Sequence, residues 1–93
     1  MIAPINQPVQ KKIILLLPQE QEGTYMFDGQ FVATRAAIDK FGDALIVGAH
    51  ILLQKEVARR GGLDYLQVFD INGERLWFID DITHVTALLP DDY

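Results

Sequence analysis

His50 and His84, together with the adjacent carboxylates Asp80 and Asp81, are the side chains best suited to move a proton or hold a cation in this chain. Neighbouring carboxylates push one pKa upward and histidine titrates near neutrality, so Asp80, Asp81 and His84 could form an acid–base cluster. Successive residues on extended chain point to opposite sides, however, and that geometry favours a solvated turn over a paired site. A metal site would have to be completed by the same carboxylates. There is no HExxH spacing, no Asp-rich calcium loop and no cysteine, so neither a metal nor a cofactor is expected. His50 lies at the margin of an apolar helical stripe, where a partly buried, hydrogen-bonded ring is the expected state.

Nucleophilic catalysis has no better candidate. The chain contains neither serine nor cysteine, and Gly61-Gly62 follows a helix rather than opening one as a phosphate loop would. No catalytic residue is expected. The aromatic residues Tyr65, Phe69, Trp77 and Phe78 invite comparison with base-stacking sheets, which interleave such rings with Lys and Arg. Here Arg75 stands alone among acids, and a formal net charge of −5 repels phosphates. Nucleic acid is therefore not an expected partner. Lys55, Arg59 and Arg60 gather near one helix end, where they offset the negative pole of the helix dipole.

The elements that carry these residues follow from periodicity. Residues 11–17 read as a strand, because the apolar run 13–17 is far shorter than the roughly 20 residues of a membrane span and Pro18 ends it. Residues 24–27 are a second short strand candidate, with Asp28-Gly29 turning the chain into Gln30, Phe31 and Val32. Thr34 is a helix N-cap for 35–41, Gly42 stops that helix, and Asp43 is placed to cap the next. The second helix, 44–60, has a stripe of Leu45, Ile46, Ala49, Leu52, Leu53 and Val57. Val47 and Ile51 project from its opposite side.

Asn72-Gly73 between two strand-like runs marks a hairpin over 63–80, and a two-residue turn fixes its register. Asp70 then faces Arg75 and Val68 faces Trp77. Leu66, Val68, Trp77 and Ile79 share one face; Tyr65, Gln67, Phe69, Ile71, Glu74, Leu76 and Phe78 share the other. Residues 83–89 form a last strand. The reading is an α+β fold in the order β-β-α-α-β-β-β, a mainly antiparallel sheet of about four strands with two helices packed on one face.

Ninety-three residues, 49% of them apolar, suffice for one core. Residues 1–10, with two prolines and no period, read as an extended arm, and 11–93 as a single domain. The lack of cysteine and of any membrane span points to a cytoplasmic protein.

From Gly29 to the terminus the chain resembles short proteins carried on bacterial plasmids and integrated mobile elements. The likeness rests on Gly29-Gln30-Phe31-Val32-Ala33-Thr34 before a helix, helical His50, Tyr65, and Leu76-Trp77-Phe78-Ile79 after a glycine turn. It ends in Thr86-Ala87-Leu88-Leu89-Pro90-Asp91-Asp92-Tyr93. The middle is shorter here, and Leu52 to Arg60 replaces the acidic-aromatic stretch that follows the histidine in that group. The group has no assigned activity, so the resemblance implies a mobile-element origin and carries over no functional residue.

Helices on one face leave a hairpin that is apolar on both sides only half covered, and apolar surface of that extent marks interaction sites. The expected function is a non-catalytic protein-interaction or regulatory role, as a homodimer that binds another protein. Its interface candidates are Val47, Ile51, Leu66, Val68, Trp77 and Ile79. A specific form is inhibition of a host complex, with Asp80, Asp81, Asp91 and Asp92 imitating phosphates. The alternative is a small-molecule-binding domain or enzyme, its pocket between the second helix and the hairpin near His50, Tyr65 and His84.

Overall fold

The computed structural model describes residues 13–19 and 22–93; the proposed arm at 1–10 lies outside them. Strands β3 (Leu66–Ile71) and β4 (Glu74–Asp80) form the hairpin. Asn72 and Gly73 take φ of 53° and 90°, the left-handed pair that a two-residue turn matching the strand twist demands. The Asp70 carboxylate closes the turn by accepting the Gly73 amide at 2.7 Å and pairing with Arg75. The register is the one the turn dictates, with Val68 opposite Trp77 and Asp70 opposite Arg75.

Around this hairpin the sheet is larger and less uniform than the expected four antiparallel strands. Strand β1 (Ile14–Leu16) adds antiparallel to β3, and β5 (His84–Leu88) antiparallel to β4. Strand β2 (Gln30–Ala33) then runs parallel to β5, giving a five-stranded mixed sheet in the order β1-β3-β4-β5-β2. The candidate strand at 24–27 contributes only a bridge between Tyr25 and Leu63. It goes no further because Phe27 adopts a left-handed φ of 52° and gives its amide to the Asp80 carboxylate at 2.9 Å. Beyond it the backbone passes so close to the 82–83 segment that a Cβ on Gly29 would lie 2.8 Å from the Thr83 carbonyl oxygen. Only glycine fits that approach.

Helix α1 (Arg35–Phe41) starts where the Thr34 hydroxyl accepts the Ala37 amide at 3.2 Å. The same hydroxyl donates to Asp92 at 2.7 Å, tying the C-terminal 3-10 turn, Pro90–Asp92, to the helix start. Helix α2 (Asp43–Arg60) begins one residue earlier than expected. Its N-cap is Gly42, with no side-chain cap, and Asp43 lies in the first turn, where its charge favours the positive pole of the helix. Gly61, left-handed at φ 80°, ends α2 by donating to the Val57 carbonyl at 2.8 Å.

Both helices pack on one face of the sheet. Ile46, Ala49, Leu53 and Val57 of α2, with Ala37 and Phe41 of α1, bury Phe69, Ile71, Leu76, Phe78, Val85 and Ala87. The α2 stripe is narrower than its spacing suggests: Leu52 sits at its flank and is 42% exposed. Among the described residues no helix is long and apolar enough to cross a membrane.

Candidate functional site

Strand alternation sends every second side chain away from the helices. Leu66, Ile79, Thr86 and Val32 form one row across β3, β4, β5 and β2; Val68, Trp77 and Leu88 form the next. Leu15 continues the surface on β1, beside the Asp70–Arg75 pair. Leu66, Val68, Trp77 and Ile79 shield one another to partial burial, Leu15 remains 54% exposed, and Tyr93 rests edge-on against Trp77 at 5.8 Å. Five strands spaced ~4.8 Å apart make this face roughly 20 Å wide. Its one charged pair is internally neutralised.

A second apolar surface runs along the outside of α2. No Asp, Glu, Lys or Arg occurs from 44 to 54, and Val47 and Ile51 are 47% and 48% exposed. Between them lies Gly48, where a Cβ would meet nothing within 4 Å. A glycine inside a helix costs about 1 kcal/mol relative to alanine, and no contact among the described residues requires one here. Val47 and Ile51 do not join the hairpin residues in one patch. The body of α2 and the whole core separate the two surfaces, because Ile46, Ala49 and Leu53 face the sheet's other side.

The polar groups are scattered by the same geometry. His50 stacks on Phe31, ring centroids 4.1 Å apart and planes within 10°, with Phe78 beyond at 6.1 Å. Its Nε2 is buried without a hydrogen-bond partner among the described residues. Burial pushes the His50 pKa below its ordinary value, opposed by the nearby Phe27 carbonyl. His84 projects from the opposite face of the sheet, one residue before buried Val85, with Nδ1 3.0 Å from the Thr83 hydroxyl. Tyr65 is 40% exposed and tilts against Tyr25. The three pocket candidates therefore do not converge.

Asp80 and Asp81 also part company. Asp80, only 4% exposed, accepts the amides of Phe27 at 2.9 Å and Ile82 at 2.7 Å, latching the 24–29 and 81–83 segments to the end of β4. Asp81 is exposed and accepts the His84 amide at 2.7 Å and the Thr83 hydroxyl at 3.0 Å. Those bonds, the His84 amide foremost, hold its pKa below the usual carboxylate range. Among the described residues no group of three or more His, Asp or Glu is placed to hold a metal ion.

Two cavities of about 280 Å³ lie elsewhere. One is bounded by Leu16, Pro18, Glu56, Arg60 and Leu63, with the buried Gln67 amide also lining it. Gln67 Nε2 donates to the Asp64 carbonyl at 3.0 Å. The other lies beside the Lys40–Glu74 ion pair and Pro90. Neither includes His50, Tyr65 or His84. The Gln67 amide was hidden from sequence reasoning because strand alternation marks a face as inward without revealing that a polar side chain will be enclosed there.

Comparison with protein-family models, with curated proteins and with solved structures finds no match. What the chain does must be argued from its own surfaces.

Proposed function

We propose that this is a non-catalytic interaction protein whose docking surface is the face of the sheet opposite the helices. The observation that carries the reading is the largely apolar surface from Leu15 through Val68, Trp77 and Ile79 to Val32, broken by Thr86 and the Asp70–Arg75 pair and, among the described residues, holding no unpaired charge. A flat, half-shielded apolar surface of this kind fits a partner protein that presents a matching apolar patch. Trp77, with Tyr93 against its ring, is the natural anchor, since large aromatic side chains dominate the energetics of such contacts. Of the four acids that could imitate phosphates, Asp80 is buried and Asp92 is engaged by the Thr34 hydroxyl and the Leu89 amide, which leaves Asp81 and Asp91 exposed.

The test is capture from the native host's lysate with the tagged full chain, followed by the same capture with Val68→Glu. A stoichiometric partner retained by the unaltered chain and lost by a folded Val68→Glu variant is the expected result. Recovery of no partner, or equal recovery by the variant, overturns the reading.

A further inference from the structure

The outer side of α2 carries a pattern that the sheet face lacks. Asp43, Val47, Ile51 and Lys55 follow one another at four-residue spacing, so they form a single ridge along the helix. The neighbouring ridge is Ala44, Gly48 and Leu52, low at its first two positions because their side chains are small or absent. Val47, Ile51 and Leu52 are all more than 40% exposed. Asp43 and Lys55 are exposed too, and neither has an ion-pair partner among the described residues.

The ridge is self-complementary. Its acid and its base lie ~18 Å apart along the axis at ~1.5 Å per residue, with Val47 and Ile51 placed symmetrically between them. If a second α2 runs antiparallel across the first, a twofold axis between Val47 and Ile51 sets each Val47 against the other copy's Ile51. The same axis brings each Asp43 alongside the other copy's Lys55. An isologous contact requires that relation: whatever residue i meets, its counterpart meets in return. Gly48 and Ala44 leave the shallow groove that such a ridge needs for helix axes to approach within about 8–10 Å. The sheet face offers no comparable device, because its Asp70–Arg75 pair closes on itself within one chain.

We infer that α2 is the seat of a second copy of this chain, the two helices crossing antiparallel between Val47 and Ile51 with reciprocal Asp43–Lys55 pairs. This goes beyond the docking role of the sheet face and does not depend on it. Each copy keeps its sheet face outward, so a dimer built on α2 presents two docking surfaces.

Solution mass by analytical ultracentrifugation tests the inference. Two crossing helices make a small interface, at or below the ~1,200 Å² lower bound of stable ones, so the full chain should be followed up to roughly 200 μM. The expected species is a dimer, with Ile51→Glu weakening association at least tenfold and Val68→Glu leaving it unchanged. Asp43→Lys and Lys55→Asp should each weaken association several-fold, and the double exchange should restore it, which a general loss of helix stability would not. Thermal melts check that each variant is folded. A monomer at the highest concentration overturns the inference, as does a dimer broken by Val68→Glu or left intact by Ile51→Glu. So does failure of the double exchange to restore a dimer that the single exchanges weaken. A monomer, or a dimer left intact by Ile51→Glu, does not bear on partner capture by the sheet face, so the two proposals fail separately.

Discussion

Phe69 and Val68 are neighbours in β3, as Phe78 and Trp77 are in β4, yet members of each pair end in opposite surroundings. Phe69 and Phe78 meet edge-to-face at 5.3 Å beneath α2 and are fully buried. Val68 and Trp77 face each other on the uncovered side and keep part of their surface in water. Local sequence does not separate the two pairs, since both are apolar and both suit a strand. What separates them is supply: the two helices cover one face of the sheet, and the hairpin is apolar on both. One face is enclosed in the core and the other stays open to water.

That contrast can be broken most forcefully from the buried side. Phe78→Ala should destabilise the fold by about 3–5 kcal/mol through lost burial and a cavity, read as a fall in the urea midpoint. Val68→Glu, on the open side, should cost about 1 kcal/mol or less by the same measurement. Equal losses would mean that the open face is covered after all.

Asp80 sharpens the comparison, since it is a buried carboxylate on the covered side. Asp80→Ala strands the amides of Phe27 and Ile82, and each donor left unsatisfied costs about 1–3 kcal/mol where it is buried. The loss should appear in the urea midpoint together with faster amide exchange around 24–29. Unchanged exchange there would show that the segment does not depend on this latch.

The smallest effect concerns His50. Its folded pKa is depressed, so the unfolded chain takes up a proton near the ordinary value of 6.5 while the folded ring still resists. Stability is then complete above that value and declines as pH falls from it toward the folded pKa. Urea midpoints at successive pH values should show this decline in the unaltered protein. His50→Phe, which keeps the ring stack on Phe31, should reduce it; an identical decline in that variant rules the explanation out.

How much of this was legible depended on distance along the chain. The hairpin register and the bounds of α1 follow from local signals: Asn72-Gly73 sets the first, Thr34 and Gly42 the second. The pairing of Gln30–Ala33 with β5 has no such signal, because a short strand reads alike whether its neighbour is parallel, antiparallel or absent. The same limit applied to the candidate site. Apolar surplus picked out Val47, Ile51, Leu66, Val68, Trp77 and Ile79, but periodicity within separate elements could not reveal that they divide between opposite sides of the molecule. Asp80 was misplaced for a related reason, since a carboxylate at a strand end looks solvated until Phe27, distant in sequence, brings its amide to it.

The parallel pairing of β2 with β5 also bears on how the molecule is made. Gln30 pairs with His84 and Ile14 with Ile71, so neither early strand has its mate until more than 50 further residues have been made. Both strands wait unmatched while those residues are made, whereas β3 with β4 and β4 with β5 close from neighbouring residues. Assembly is therefore expected to spread outward from Asn72-Gly73 and to finish only after translation has passed β5.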